Sequence, residues 1–487
     1  MLFSQLSIVI ELVEIMNHSN ITFISAAFHG VTSTPYATPQ YEEIQSDDAT
    51  WILTSAFIIF TMQSGFGLLE AGMVSKKNET NIMVKNAVDV IYGGLAYWLF
   101  GFGISFDRDN GTTAFNGCGK FFTDAGEDEM GHVFAKYFFH LSFSTTATTI
   151  VSGAMAERVE LKAYILFSFI NTLTYSLPAH WMWEPKGWLY KLDAVDVAGC
   201  SPVHIVGGFS GLVATPYLKP RLGKFDENNR PRPNMMASPT NVMLGMFMLW
   251  WGWPGFNCGS KRVWDHGRKK WKLASSQLCD YTVRLQLYRI IAYKNKLLTD
   301  VFVTGIISGL VSITAICPVV TPWESVLIGF IGGAVGCFGN ILLERMRIDD
   351  PVRCISTHGI TGRWGIIVVG LVVERNPLMS KHYGVFEGGS WKFLGVQALT
   401  AVTIVTWTVI TTFLELFAIN KLTCLRMSGE KELDGADKWE HGIVANEGDD
   451  FSCLTFERGT LFSEEDTTRF PNSSSQHNSI QCQELVV

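Results

Sequence analysis

Residues 196 to 216, DVAGCSPVHIVGGFSGLVATP, place one histidine, His204, inside a run of apolar and small residues. A run of about 20 such residues can cross the hydrocarbon core of a bilayer. An ionisable side chain at that depth is costly, so it persists mainly where it lines a cavity, pairs or conducts. A second histidine, His358, lies in IDDPVRCISTHGITGRWGIIVVGLVV, between the acidic pair Asp349/Asp350 and a long apolar stretch. His204 and His358 are therefore the first candidates for a functional site.

The composition is that of a polytopic membrane protein. Of 487 residues, 47% are hydrophobic and 17% are charged, which is too apolar for an ordinary soluble domain. The 45 glycines suit helices that approach one another closely within a bilayer. The 10 cysteines are scattered, and Cys317 and Cys337 lie inside apolar runs, so they indicate neither a disulfide framework nor a zinc site. We expect no metal and no cofactor.

Hydropathy divides the chain into a polar N-terminal segment (residues 1 to 50), a membrane domain (51 to 421) and a polar tail (422 to 487). The tail is acidic and rich in serine after about residue 450, where we expect disorder. Ten apolar runs in the membrane domain are near the length of a span. They cover about residues 52 to 74, 82 to 105, 132 to 156, 162 to 183, 198 to 217, 236 to 258, 300 to 320, 324 to 343, 354 to 374 and 392 to 420.

The distribution of basic residues predicts the orientation of these spans. Alternate loops carry Lys76, Arg158 and Lys219 with further basic residues, so we expect those loops in the cytoplasm. The loop at residues 106 to 131 is acidic and holds the glycosylation sequon Asn110-Gly-Thr. That loop and the N-terminus, which holds two more sequons, are expected outside the cell, and the C-terminus inside.

Residues 261 to 296 do not fit this scheme. They hold roughly a quarter of the lysines and arginines of the chain. A lipid-exposed helix of this composition is poor, since each central charge costs about 2.5 to 3.5 kcal/mol. Alternation of the loops nevertheless requires a crossing here, because without one every later span inverts and Arg345 and Arg347 move outside. A seventh span and an error of splicing or reading frame are both open interpretations.

Eleven spans, with residues 261 to 296 as the seventh, place His204 on the fifth and His358 on the tenth. Because five is odd, the second half (about 235 to 375) runs inverted relative to the first (about 51 to 218). The predicted fold is all-α and polytopic, with eleven transmembrane helices arranged as two inverted five-helix repeats plus a final helix. Such repeats usually hold the transport site at their interface, where two neutral imidazoles can share a proton.

Several motifs resemble the ammonium transporter family, in the Amt branch of the Amt/Mep/Rh superfamily. They are QSGFGLLEAG, GAMAER, DVAGCSPVHIVGGFSGL, GWPGFNCGS, and IDDPV followed by THG, and the likeness covers about residues 50 to 260 and 298 to 443. The resemblance implies a homotrimer of the plasma membrane with one pore per subunit and no enzymatic activity. It also implies NH4+ or NH3 as the substrate, the lipid bilayer as the surroundings and no nucleic-acid partner.

Residue by residue, the resemblance assigns a route from the outer face inward. Trp183, Phe139 and Ser260 match the outer site that recruits ammonium, where a cation can lie on a ring face. Phe143 and Phe256 match the stacked rings of a hydrophobic gate below that site. The implied mechanism is recruitment of NH4+, loss of its proton near the gate and passage of ammonia beyond it.

The resemblance also assigns the inner residues. His204 and His358 match the paired pore histidines, and Asp196 matches an acidic residue that supports the recruitment site. Arg353 and Arg363 depart from the pattern, since they replace small or apolar residues on the helix of His358. Four tail residues match a G-x-D-x-x-x-H-G element by which, in the family, one subunit touches its neighbour: Gly435, Asp437, His441 and Gly442.

The leading hypothesis is a passive or proton-coupled transporter of ammonium or ammonia. An ammonium sensor that kept the transporter fold is an alternative, as is an Rh-like gas channel, although Trp183 and Ser260 favour the Amt branch. A membrane enzyme that uses His204 or His358 as a base is disfavoured, because no nucleophile or set of metal ligands accompanies them.

Overall fold

The computed structural model describes residues 46 to 106, 109 to 260, 298 to 374 and 380 to 443. In these ranges the chain is helical and contains no β-strand. The predictions for the N-terminal segment, for the seventh span at residues 261 to 296 and for the tail after residue 450 lie outside the described residues.

The helices are numbered in chain order within these ranges. They are α1 (Ser46–Met73), α2 (Lys76–Phe106), α3 (Met130–Met155), α4 (Leu161–Trp183), α5 (Trp188–Lys191), α6 (Val206–Leu218), α7 (Pro239–Gly259), α8 (Thr299–Ile313), α9 (Pro322–Arg345), α10 (Ile355–Val372), α11 (Trp391–Leu422), α12 (Gly429–Asp434) and α13 (Ala436–His441). A π-helical turn, Cys200–Ile205, leads into α6, and another, Ile355–Ile360, forms the start of α10.

Five of the described helices are long and apolar enough to cross a membrane: α1 from Ala49 onward, α2, α9, α10 and α11. Helices α3, α4 and α7 have comparable lengths of 26, 23 and 21 residues, and each contains buried polar side chains. In α3, for example, the buried hydroxyls of Thr146 and Ser152 donate to carbonyls one turn earlier on the same helix. Such bonds satisfy hydroxyl groups away from water. The described residues thus confirm an all-helical chain with several apolar spans.

The span expected at residues 300 to 320 is shorter than predicted. Helix α8 ends at Ile313, and the residues that follow form buried turns up to residue 320. Pro318 explains why the helix cannot continue through this stretch. Proline lacks an N–H donor and disfavours a helical conformation for the residue before it.

Local sequence sets the start of two later helices. The Ser238 side chain accepts the N–H of Asn241 at 3.2 Å, and Pro239 occupies the first turn of α7. Thr321 and Glu324 form a reciprocal capping box at the start of α9.

Helix α1 is the first helix of the first predicted half, and α7 is the first helix of the second. These two helices pack with their backbones in contact. A Cβ atom on Gly72 would lie 2.6 Å from the Val242 nitrogen, and one on Gly245 would lie 2.4 Å from the Leu69 nitrogen. Small residues permit this approach between membrane helices. The packing fixes the position of α7, which carries aromatic residues of the candidate site.

Candidate functional site

Each predicted pore histidine follows a buried carboxylate by eight residues. Asp196 accepts the N–H of Ser201 at 2.6 Å, together with those of two neighbouring residues. Asp350 accepts the N–H of Ile355 at 2.7 Å. Negative charge at the start of a helix satisfies N–H groups that have no partner within the helix. Sequence reasoning gave a supporting role to Asp196 alone, although the same spacing from Asp350 to His358 was a usable signal.

His204 and His358 meet inside the protein. Their Nδ1 atoms are 3.2 Å apart, and their rings are nearly parallel at 25° with centroids separated by 5.2 Å. The two side chains are 0% and 4% exposed. Because one Nδ1 must donate for the other to accept, the pair can share one proton while both rings stay neutral. The Nε2 atom of His204 is buried and has no hydrogen-bond partner among the described residues.

The residues predicted to form a gate lie beside this pair. The rings of Phe143 and Phe256 stack with centroids 4.1 Å apart and planes 10° apart, and both are buried. The ring of His204 stacks against Phe256 at 5.6 Å and against Trp253 at 5.4 Å. His204 therefore packs directly against the two residues predicted to form a gate.

Two of the residues predicted to recruit ammonium contact Phe143, the second ring of the predicted gate. Trp183 contacts Phe143 edge-on with centroids 5.8 Å apart, and Phe139 contacts Phe143 at 4.9 Å. The indole N–H of Trp183 donates to the Asp196 carbonyl at 2.8 Å. Asp196 thus orients Trp183 through its backbone while its carboxylate holds the turn ahead of His204.

Ser260, the third predicted recruitment residue, lies at the end of α7. Its hydroxyl donates to the Phe256 carbonyl at 2.7 Å, which leaves its oxygen lone pairs as acceptors. The preceding Gly259 packs against Phe139, since a Cβ on Gly259 would lie 2.8 Å from that ring. The structure therefore brings the end of α7 next to the recruiting aromatic residues.

A cavity lies beside His358, and its lining also includes Phe66 and Glu70. The Glu70 carboxylate accepts hydrogen bonds from Ser152 at 2.6 Å and Asn86 at 2.7 Å. Sequence reasoning did not single out Glu70. A carboxylate within the apolar motif GFGLLEAG was the available signal.

A buried ionic cluster joins the loops that follow α3, α6 and α9. Asp349 pairs with Arg158 and with Arg221, each at 2.9 Å, and Arg221 also pairs with Glu157. Burial raises the pKa of Asp349, but the two guanidinium groups outweigh burial and hold that pKa well below its usual range. The pKa of Glu157 is likewise lowered, because Arg221 offsets burial.

The tail element docks on α2 of its own chain. Asp437 accepts the N–H of Asn81 at 2.7 Å, and the Nε2 atom of His441 lies 3.2 Å from the Asn81 amide nitrogen. Gly435 and Gly442 have φ angles of 102° and 69°, which glycine adopts without strain. The resemblance implies a contact of this element with a neighbouring subunit, which stays a prediction; within the chain, the element packs on α2.

The two arginines that depart from the family pattern lie away from the imidazole pair. Arg353 forms an ion pair with Asp300. Arg363 is exposed, and its guanidinium carbon lies 5.2 Å from the centroid of Phe209. Neither contact involves His204 or His358.

An all-helical chain with several apolar spans around buried, touching imidazoles is a multi-pass membrane protein. The sequence profile of the Ammonium Transporter Family matches residues 50–446. The chain therefore belongs to the ammonium transporter family.

Individual relatives agree with this assignment. The chain is 43% identical over 428 residues to putative ammonium transporter 3 of Caenorhabditis elegans, and the match covers 84% of this chain and 61% of that protein. It is 38% identical over 439 residues to putative ammonium transporter 2 of the same organism, with 85% and 83% covered. The chain thus spans less than two thirds of the first relative. A solved structure described as Sensor Amt Protein superimposes with a TM-score of 0.73 at 28% identity, covering 81% of this chain and 98% of that one.

Proposed function

We propose that the chain carries ammonium across a membrane, taking up NH4+ at the outer aromatic site and passing ammonia along the imidazole pair. The observation that carries this proposal is the Nδ1 to Nδ1 distance of 3.2 Å between His204 and His358, next to the stacked Phe143 and Phe256. The names of the relatives, putative ammonium transporters, support the choice of substrate.

Recruitment uses the ring faces of Trp183 and Phe139 and the hydroxyl oxygen of Ser260. A cation over such a face gains about 0.5 to 2 kcal/mol. That gain is too small to strip a charged ion of its water in a dry passage. NH4+ therefore gives up its proton to solvent water on the Trp183 side of the stacked Phe143 and Phe256, and the neutral NH3 molecule continues.

Beyond the gate, ammonia meets His204. The unpartnered Nε2 of this residue either donates to the ammonia nitrogen or accepts one of its N–H groups, according to the tautomer of the ring. The shared Nδ1 contact lets the two imidazoles change tautomers together. Hydrated metal cations find no comparable acceptors in so narrow and apolar a passage.

We infer the topology from the same pairs of elements. The equal spacing of Asp196 and Asp350 from their histidines and the packing of α1 on α7 support two inverted repeats. Eleven spans agree with two five-helix repeats and a final helix, and the distribution of basic residues supports an outer N-terminus and an inner C-terminus. A glycosylated homotrimer in the plasma membrane is the expected assembly, which mass measurement in detergent and glycosidase treatment test.

The main test is flux through proteoliposomes that contain the full chain. An imposed ammonium gradient should change the internal pH or produce a current, and vesicles without protein provide the baseline. A double variant that combines His204→Ala with His358→Ala should alter the rate or the selectivity of this flux. Wild-type vesicles that match the baseline would overturn the proposal.

A second candidate is an ammonium sensor, which the likeness to Sensor Amt Protein favours. A sensor binds ammonium without carrying it. Calorimetric binding of ammonium by the purified chain, with baseline flux in vesicles, would identify that function.

A further inference from the structure

The route described above assigns no part to His140, a residue of α3 between Phe139 and Phe143. Its imidazole stacks on Phe106, with ring centroids 3.8 Å apart. The centroid of Trp183 lies 5.6 Å from that of His140, and the centroid of Phe143 lies 6.0 Å from it. His140 therefore belongs to the same cluster of rings as the recruitment site.

The Nδ1 atom of His140 is buried and has no hydrogen-bond partner among the described residues. Buried polar atoms almost always have partners, so one without a partner requires an explanation. In a neutral imidazole one ring nitrogen donates and the other accepts. An acceptor nitrogen among aromatic rings suits a small cationic N–H donor.

The same cluster already contacts an ammonium group. The Nζ atom of Lys136, one turn before His140 on α3, lies 4.6 Å from the centroid of Phe106. Ring faces attract such cations through their negative electrostatic potential.

We propose that Nδ1 of neutral His140 accepts a hydrogen bond from the ammonium ion recruited by Trp183 and Phe139. This inference deepens the proposed function and rests on it. The ring faces attract the charge of NH4+ but replace few of the hydrogen bonds that the ion made to water. A nitrogen acceptor compensates part of that loss, since hydrogen bonds to charged donors are stronger than neutral ones. His140 is then a binding residue that sets the affinity for NH4+.

The experiment measures initial flux against ammonium concentration in proteoliposomes at pH 7. His140→Phe keeps a ring and removes the acceptor, whereas His140→Gln keeps an acceptor oxygen. His382→Gln is the control, because His382 is an exposed histidine that pairs with Asp193. We expect His140→Phe to raise the half-saturating concentration about tenfold or more, the scale of a hydrogen bond to a charged group. The maximal rate should change far less, and His140→Gln should restore most of the affinity.

The possible results are distinguishable. Wild-type vesicles without flux would contradict the proposed function itself. Wild-type flux with an unchanged half-saturating concentration in His140→Phe would overturn the inference and leave the function standing. Equal losses of maximal rate in both variants, with affinity unchanged, would also overturn it, because they indicate a structural residue. His140→Leu serves as the acceptor-free variant if His140→Phe does not fold, and the same criterion applies to it.

Discussion

Gly208 lies so close to Gly359 that a Cβ atom on Gly208 would be 2.1 Å from the Gly359 nitrogen. Gly208 follows His204 by one helical turn, and Gly359 directly follows His358. This contact brings α6 and α10 together beside the two imidazoles. The distance between the rings therefore depends on the absence of a side chain at Gly208, whereas a Cβ on Gly359 would come no closer than 3.1 Å to Gly208.

Gly208→Ala should push α6 away from α10 and separate the imidazoles. Overpacking of this kind destabilises a well-packed core by about 1 to 3 kcal/mol. We expect a lower unfolding temperature in detergent and a reduced ammonium flux. Gly395→Ala on α11 is the matched control, because a Cβ there would meet nothing within 4 Å. Equal flux and stability in the two variants would show that the helix contact does not position the rings.

Asp196→Asn and Asp350→Asn should both be destabilising, because each carboxylate accepts the N–H of the residue five positions later. The loss should be larger for Asp196→Asn, since Asp196 also accepts two further backbone N–H groups. In an asparagine, an NH2 group replaces one of the two carboxylate oxygens that face backbone N–H groups, so an acceptor is lost. Each variant should therefore lose about 1 to 3 kcal/mol of stability. Thermal unfolding measures the loss, and Asp128→Asn, in an exposed loop, is the control. A large effect of one variant with none from the other would contradict the equivalence of the two helix starts.

The ionic cluster predicts how stability depends on pH. A carboxyl with a depressed pKa contributes stability that is fully present above its unfolded pKa of about 4 and is lost as pH falls toward its folded pKa. Because Asp349 and Glu157 both have lowered pKa values, the unfolding temperature should fall steeply below about pH 4.

Asp349→Asn isolates this contribution. Removing one partner of a buried ion pair costs about 3 to 5 kcal/mol, so the variant should be less stable at pH 7 and show a shallower loss in acid. Asp128→Asn, which changes an exposed loop, should match the wild type. Parallel curves for Asp349→Asn and wild type would argue against a role of the cluster in acid stability.

Asp437→Ala should loosen the tail from α2. The Asp437 carboxylate accepts the N–H groups of Thr80 and Asn81 at 3.0 and 2.7 Å, which is the role of a helix N-cap. Loss of such a cap costs about 1 kcal/mol. We expect faster amide hydrogen exchange in α12 and α13, measured by mass spectrometry. Glu430→Gln is the exposed control, and exchange equal to that of the control would mean that Asp437 does not hold the tail.

The linear chain was enough to predict the class of protein and the residues of the candidate site. Apolar length, glycine content and the order of motifs belong to the sequence, and they led to a helical membrane protein and to His204, His358, Phe143 and Phe256. Spacing also held information that sequence reasoning missed, since Asp350 stands as far from His358 as Asp196 does from His204.

Contacts between distant segments required the folded chain. Helix rotation and crossing determine that Arg158 pairs with Asp349, that the tail docks on α2 of its own chain and that His140 joins the outer rings. The spacing of motifs along the sequence does not specify these helix rotations and crossing angles. They are set in the folded chain, where glycines such as Gly208 and Gly359 let two backbones come into contact. The chemistry of each residue was therefore readable from the sequence, and its partners were set by close packing between segments far apart in the chain.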